Sequence, residues 1–303
     1  MKKALFPTLV LSALLTACAT DGTVQGTSCS AKTDKLASTP LLYSARSGDA
    51  ANVRCLLDAG VNVNEADGNG STALMFAASQ RHTAIVQNLV ERGAQVNATD
   101  KNGYTALTTA TISGSTDIVR LLLERGANTN VALTSGKAVG STPLLWAAGR
   151  GYTDIARLLI AKGANVNAAD KAGGALPLTA ATWYGNTDIV RLLLDNGANV
   201  NATLLNGSTA LFGAAENGHT DIARLLIEKG ANVNAANPSG GTALMVAAVA
   251  GHADIVRLLI ASGANVNARV TKGKLTGATA LDAAKDSKHP EIVKILRAAG
   301  AKE

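Results

Sequence analysis

The sequence predicts an all-α stack of eight helix-turn-helix repeats, and three observations predict it. A Thr-x-Leu opening recurs at Thr39, Thr72, Thr105, Thr142, Thr209, Thr242 and Thr279, with Leu176 once in the same place. The steps between these openings are 33, 33, 37, 34, 33, 33 and 37 residues, and so regular a period marks small units that stack rather than one globular core. Each copy also carries a run like Asp117-Ile-Val-Arg-Leu-Leu-Leu123, and each closes on a Gly: Gly60, Gly93, Gly126, Gly163, Gly197, Gly230, Gly263 or Gly300.

Within a copy, the first helix is predicted over the Thr-Ala-Leu-x-x-Ala-Ala segment, as at 242–248. Gly or an equivalent then breaks it, at Gly114, Gly151, Gly185, Gly218 and Gly251. The second helix is predicted over runs such as 117–123 and 188–194, whose Ile and Leu residues fall on one apolar stripe. Thr116, Thr153, Thr187 and Thr220 are expected at its N-cap, and the Asp after each suits the positive helix end. The closing Gly supplies the left-handed residue that ends a helix without strain. The Asn-Val-Asn stretch and the Gly-rich segment beyond it are expected to form a hairpin-like finger. One such unit cannot bury its stripe alone, so neighbours must share a continuous core.

These residues resemble the ankyrin repeat. Its Thr-Pro-Leu signature is intact at Thr39-Pro40-Leu41 and Thr142-Pro143-Leu144 and survives as Leu176-Pro177-Leu178; elsewhere Ala replaces Pro. The resemblance covers residues 39–303. It departs from the family at the position after the signature, where His is usual. That position holds Leu42, Met75, Thr108, Leu145, Thr179, Phe212, Met245 and Asp282. The usual Thr–His hydrogen bonding is therefore expected to be replaced by packing. Segments 39–66 and 279–303 are read as the two end caps, the latter because Asp282, Lys285, Asp286, Lys288, Lys294 and Arg297 make it polar.

The first 38 residues follow a different logic. Met1-Lys2-Lys3 is positive and residues 4–15 are apolar, too few for a membrane span, which takes about 20 residues. The pattern resembles a bacterial secretory signal peptide over 1–17. Leu15-Thr16-Ala17-Cys18 resembles the lipobox of bacterial lipoproteins, which implies a lipid on Cys18 and, with Ala19 rather than Asp following, an outer-membrane address facing the periplasm. Residues 18–38 are small and polar and are read as a flexible tether. Cys29 and Cys55 are candidates for a disulfide in that oxidising compartment, with a buried free Cys55 as the alternative.

The formal charge is +6, and loss of Lys2 and Lys3 with the leader leaves +4. Arg120, Arg157, Arg191, Arg224 and Arg257 each lie three residues after an Asp, where the two can pair on a solvated outer face. That arrangement leaves no basic stripe with stacking aromatics of the kind nucleic acid requires. His82, His219, His252 and His289 share one repeat position and are read as structural, since a catalytic or metal site needs a constellation rather than a register. No cofactor, metal or catalytic site is expected.

The family resemblance implies a protein partner bound on the concave side, which first helices and fingertips line. Tyr43, Phe76 and Trp146 share an outward repeat position, and Trp183 and Tyr184 end a first helix. These five are the candidate anchors; Phe212, at the position of the missing His, is expected in the core. Leu204 and Leu205 replace polar residues on one finger, and two fingers, 133–141 and 269–278, are longer by four residues. The function expected is a non-catalytic, monomeric scaffold tethered to the envelope by its lipid alone. An immunity protein against a secreted toxin, an accessory factor for an envelope enzyme and a structural envelope tether are the alternatives.

Overall fold

The computed structural model describes residues 29–302, and its regular elements among these residues are all helical. Sixteen helices form eight pairs: α1 (Pro40–Ser47) and α2 (Ala50–Asp58), α3 (Ala73–Ser79) and α4 (Thr83–Glu91), α5 (Ala106–Ser113) and α6 (Thr116–Glu124), α7 (Pro143–Arg150) and α8 (Thr153–Ala161), α9 (Pro177–Trp183) and α10 (Thr187–Asp195), α11 (Ala210–Asn217) and α12 (Thr220–Glu228), α13 (Ala243–Ala250) and α14 (Ala253–Ala261), and α15 (Ala280–Asp286) and α16 (Pro290–Ala298). Two compact units result, one ending at Thr134 and one beginning at Ser135, so the division falls inside the first long finger.

In each unit the first helices pack on one another in one layer and the second helices in another. The sequence dictates both layers. First helices present paired Ala residues, such as Ala247 and Ala248, both fully buried, so that backbones approach closely. Second helices bury the Ile, its neighbour and a Leu one turn on: Ile118, Val119 and Leu122 are inaccessible, as are Ile255, Val256 and Leu259. Removing such a Leu side chain costs about 2–5 kcal/mol.

The opening Thr, read as the first residue of the first helix, stands just before it as the cap. Thr72, Thr105, Thr142, Thr242 and Thr279 are N-caps whose Oγ1 accepts from the backbone N–H three residues on. Leu176 has no oxygen to offer, and Thr179 substitutes: its hydroxyl accepts from Leu176 N at 2.9 Å and donates to Leu176 O at 2.9 Å. In the missing-His position, Leu42, Met75, Leu145, Phe212 and Met245 are buried, so packing does replace the polar network there.

The second-helix Thr residues correct the sequence reading. Thr116, Thr153, Thr187 and Thr220 are the first helical residues, and the caps are Ser115, Tyr152, Asn186 and His219, none with a side-chain capping bond. At five of the second-helix caps the side chain is turned to the preceding repeat instead. His82, His219, His252 and His289 donate from Nε2 to the carbonyls of Arg46, Trp183, Glu216 and Val249 at 3.1–3.3 Å, and Asn186 Nδ2 does the same to Ala148 O at 2.8 Å. The ring needs room as well as an acceptor. A Cβ on Gly48, Gly185, Gly218 or Gly251 would lie 2.7–2.8 Å from the His Cε1 of the next repeat. Those glycines are therefore required twice, for their left-handed φ and for the space.

A second ladder joins the starts of the fingers. Asn97 Nδ2 donates to Gly126 O at 3.0 Å while its Oδ1 accepts from Asn128 N at 2.8 Å. Asn64, Asn167, Asn201, Asn234 and Asn267 repeat this bridge to the closing Gly carbonyl and the amide N–H two residues after it. Ion pairing also runs between repeats rather than along helices. Arg92 pairs with Asp58, Lys229 with Asp195 at 2.7 Å, and Arg257 with Glu291 at 2.6 Å. Of the five Asp–Arg pairs expected within second helices, Asp254–Arg257 alone comes within bonding distance among the described residues. A long, solvated Arg gains more from a carboxylate one repeat away than from folding back on its own helix.

Candidate partner-binding face

The residues singled out for the lipid anchor and leader, Cys18 and 1–17, lie outside the described residues. Of the stretch read as a tether, 29–38 is held in place. Cys29 is joined to Cys55 on α2, with Cα atoms 5.6 Å apart. Ser30 N donates to Asn52 Oδ1 at 2.6 Å, Asn52 Nδ2 donates back to Ser30 O at 3.0 Å, Asp34 pairs with Arg46, and Ala37 is fully buried. This arm, and not 39–66 alone, closes the open side of the first repeat.

In the first unit, Tyr43 on α1 and Phe76 on α3 are each half-buried. The remaining anchors belong to the second unit and fall on two neighbouring first helices and one finger. Tyr184 caps α9 and is 66% exposed; Trp183, the last residue of α9, is 44% exposed. Their rings part in opposite directions. Tyr184 Cε2 lies 3.6 Å from where a Cβ on Gly149 of α7 would stand, and Trp183 Cε3 lies 3.6 Å from the same point on Gly213 of α11. Each ring thus packs over a glycine of a neighbouring first helix, at a distance where an added Cβ would be in ordinary contact.

Trp146 and Tyr184 line a cavity of about 430 Å³ together with Leu145, Gly149, Arg150 and Ala180 from α7 and α9 and with Asp170 and Ala175 from the finger. Arg150 lies over the Trp146 ring, its Cζ 5.6 Å from the centroid, a cation–π geometry. Trp146 Nε1 is buried with no acceptor among the described residues, a state that costs about 1–3 kcal/mol. Asp170 Oδ1 accepts from Gly173 N at 2.9 Å and Ala175 N at 3.0 Å, so it shapes the finger. Phe212 is buried, as its position implied. Leu205 is 74% exposed and Leu204 half-buried; Leu205 N donates to Gly173 O at 3.1 Å, which ties their finger to the one carrying Asp170.

Arg150, Gly149 and Asp170 were not singled out from the sequence. Arg150 follows Trp146 by four residues, one helical turn, and that spacing was there to read. The two glycines have no local signature, because their role depends on rings from adjacent repeats. Among the described residues no group of three or more His, Cys, Asp or Glu could hold a metal ion, and no helix is long and apolar enough to cross a membrane.

Comparison with known proteins agrees with this geometry. A family model described as ankyrin repeats (3 copies) matches residues 13–100, 41–133, 132–203, 178–270 and 237–302. Among solved structures, the crystal structure of the human ASB11 ankyrin repeat domain is similar, at 31% identity and a TM-score of 0.63, over 74% of this chain and 97% of that one. None of the curated proteins compared matches the chain. A stack of helix pairs capped by Thr and closed by Gly, with its large aromatics on the first helices, defines a repeat scaffold that binds proteins. The chain belongs to the ankyrin-repeat family.

Proposed function

We propose that the chain is a non-catalytic scaffold anchored to a bacterial envelope by a lipid on Cys18, where it holds a protein partner on the first-helix and finger face of its second unit. The observation that carries the binding face is the exposure of Trp183 and Tyr184 beside the cavity under Trp146. Large aromatics clustered at the surface are the usual anchors of interfaces. The envelope address is supported by Leu15-Thr16-Ala17-Cys18 and by the Cys29–Cys55 bridge, since disulfides persist in exported proteins. An outer-membrane attachment facing the periplasm follows from Ala19 after the Cys.

Two experiments test the two halves. Cys18→Ser is expected to move the protein from the outer-membrane fraction to the soluble periplasmic fraction, or to leave it unprocessed. Sedimentation with the outer membrane after a high-salt wash would reject the anchor. For the face, quantitative affinity capture from the source cell's envelope extract compares wild type with Trp183→Ala and with Arg157→Ala on the outer face. Trp183→Ala is expected to weaken capture by about 2 kcal/mol, roughly thirtyfold, with the helical content kept. Loss of capture on Arg157→Ala and none on Trp183→Ala would place the partner on the second helices.

A further inference from the structure

From the cavity between α7 and α9 we infer the chemistry of the partner: the site accepts an Asp or Glu side chain from an internal, extended segment of a protein, next to a large apolar residue. This rests on the reading of the first-helix face as the docking surface and adds to it what the partner must carry.

The charge around the cavity is the first argument. Arg150 stands on its wall, over the face of Trp146. Lys171 is exposed on the adjoining finger, and its backbone N donates to Val139 O at 2.9 Å, which brings in the finger that carries exposed Lys137. None of the ion pairs among the described residues involves Arg150, Lys137 or Lys171. The opposing acid is Asp170, and it already accepts two amides of its own loop. An anionic group therefore meets positive charge that has no other partner. Arg46, Arg92, Lys229 and Arg257 face carboxylates, whereas Arg150, like Arg120, Arg157, Arg191 and Arg224 of the second helices, has none within ion-pair distance among the described residues; what sets Arg150 apart is its place on the cavity wall over Trp146.

The second argument is the wall itself. Trp146 keeps its indole N–H buried, so it offers the cavity its ring, with the Arg150 guanidinium over it. Arg150, stacked and planar, is preorganised to form two parallel bonds to a carboxylate, which an ammonium could not. The third is continuity. Apolar surface does not end at the cavity: Tyr184 forms its rim, and Trp183 carries the surface on toward the next repeat. A chain whose acid enters the cavity runs on over aromatic surface, so the acid is internal and its neighbour is apolar.

A random peptide library displayed on phage, panned against the full chain and depleted on a Trp146→Ala/Tyr184→Ala variant, tests this. Enriched peptides are expected to carry Asp or Glu beside a large apolar residue. A synthetic copy of the leading peptide, acetylated and amidated at its ends, is then titrated by fluorescence polarisation. Changing its acid to the amide should weaken binding about tenfold, Arg150→Gln should do the same, and the two together should cost no more than either alone. Arg150→Lys should recover part of the loss, and circular dichroism of each variant should match wild type, since Arg150 is exposed. Enriched peptides without an acid, or unaffected by Arg150→Gln, overturn the carboxylate site; if they still lose affinity on Trp183→Ala, the docking face itself stands. Binding untouched by Trp183→Ala and Tyr184→Ala alike sinks the docking face too. Peptides that bind only with a free C-terminal acid, or no enrichment over the depleting variant, also overturn the proposal.

Discussion

Single residues in this chain show where a repeat tolerates departure from its pattern. Five of the first helices end on a left-handed Gly that makes room for a His or Asn of the next repeat, but the second and the eighth end on Arg81 and Lys288, at φ 64° and 59°. The second copy is followed by Ser115 rather than His, and Lys288 lies in the last of the described helix pairs, so in neither does a described ring occupy the Cβ space. What remains is the left-handed φ, which costs a side-chain residue roughly 1–2 kcal/mol. Lys288→Gly is therefore expected to stabilise the last repeat by about 1 kcal/mol, less what the freer unfolded chain takes back, read as a rise in the urea midpoint. The same repeat titrates. Thr279 donates to Asp282 from its N–H at 2.9 Å and its hydroxyl at 2.8 Å, which holds the carboxyl below its ordinary value of 3.8. A lowered folded pKa gives stability that is present above that ordinary value and lost as pH falls through the folded one. Asp282→Asn should cost about 0.5–1 kcal/mol at neutral pH, at the small end because the side chain is partly solvated, and progressively less as pH falls through the folded value. Glu65 runs the other way. Burial raises its carboxyl above 4.5, with the Thr39 hydroxyl opposing, so its charged form is disfavoured in the fold. Glu65→Gln should be neutral or stabilising at pH 7, and its advantage should shrink as pH falls below the folded value, because wild-type Glu65 is then protonated as well.

At the scale of elements, the division between what was legible and what was not follows sequence distance. Helix pairs and closing Gly residues are local chemistry, decided within four residues, and they lie where the repeat spacing put them, while the opening Thr, read as helical, caps the helix instead. The bridges lie outside that reach. His252 meets Glu216 across 36 positions and Asn234 meets Gly263 across 29. Read singly, such a His is an inert member of a register and such an Asn is a turn former; only the stack shows that each one secures a neighbour. The misplaced second-helix cap has the same origin, because a Thr before an Asp-Ile run imitates a cap while the true cap position is spent between repeats. The candidate site divides likewise. Tyr43, Phe76 and Trp146, read as outward, are half-buried, and the exposed pair Trp183 and Tyr184 was visible as the end of a first helix; that their rings lie over Gly149 and Gly213 shows only in the stack. Asn234 gives the test. Asn234→Ala removes a bond to Gly263 O at 3.0 Å and one from Asn265 N at 2.7 Å, both exposed, for about 1–2 kcal/mol in all. Hydrogen exchange should quicken at the junction of α12 and α14, while Asn237→Ala, which removes an acceptor from amides of its own finger, should leave that junction protected. Equal effects from both changes would mean that the ladder adds nothing between repeats.

For the whole chain, stability that sums over neighbouring pairs makes the ends the weak points. The two ends are treated differently. The last repeat keeps a polar outer side and a capping box, whereas the first is closed by the arm 29–38 through a disulfide, a pair of hydrogen bonds to Asn52 and the Asp34–Arg46 ion pair. The bridge joins residues 26 apart, a loop whose closure is worth roughly 3 kcal/mol through the unfolded chain. Most of that should be felt locally. Reduction, or Cys29→Ser with Cys55→Ser, is expected to free the arm and raise exchange in α1 and α2, where Ser44, Asn52 and Leu56 are buried beneath or beside it. Helices α13 and α14, in the other unit, should keep the protection they had. The arm's hydrogen bonds and Ala37 contact remain available after reduction, so α1 and α2 should open more often rather than unfold outright. A uniform loss of protection along the chain would show that the units unfold as one cooperative body. No change even at α1 would show that Asn52 and Arg46 hold the arm without help. Because Trp146, Trp183 and Tyr184 lie in the second unit, the same reduced protein should still bind its partner through them; an affinity that falls with the disulfide would move part of the interface to the arm and the first helix pair.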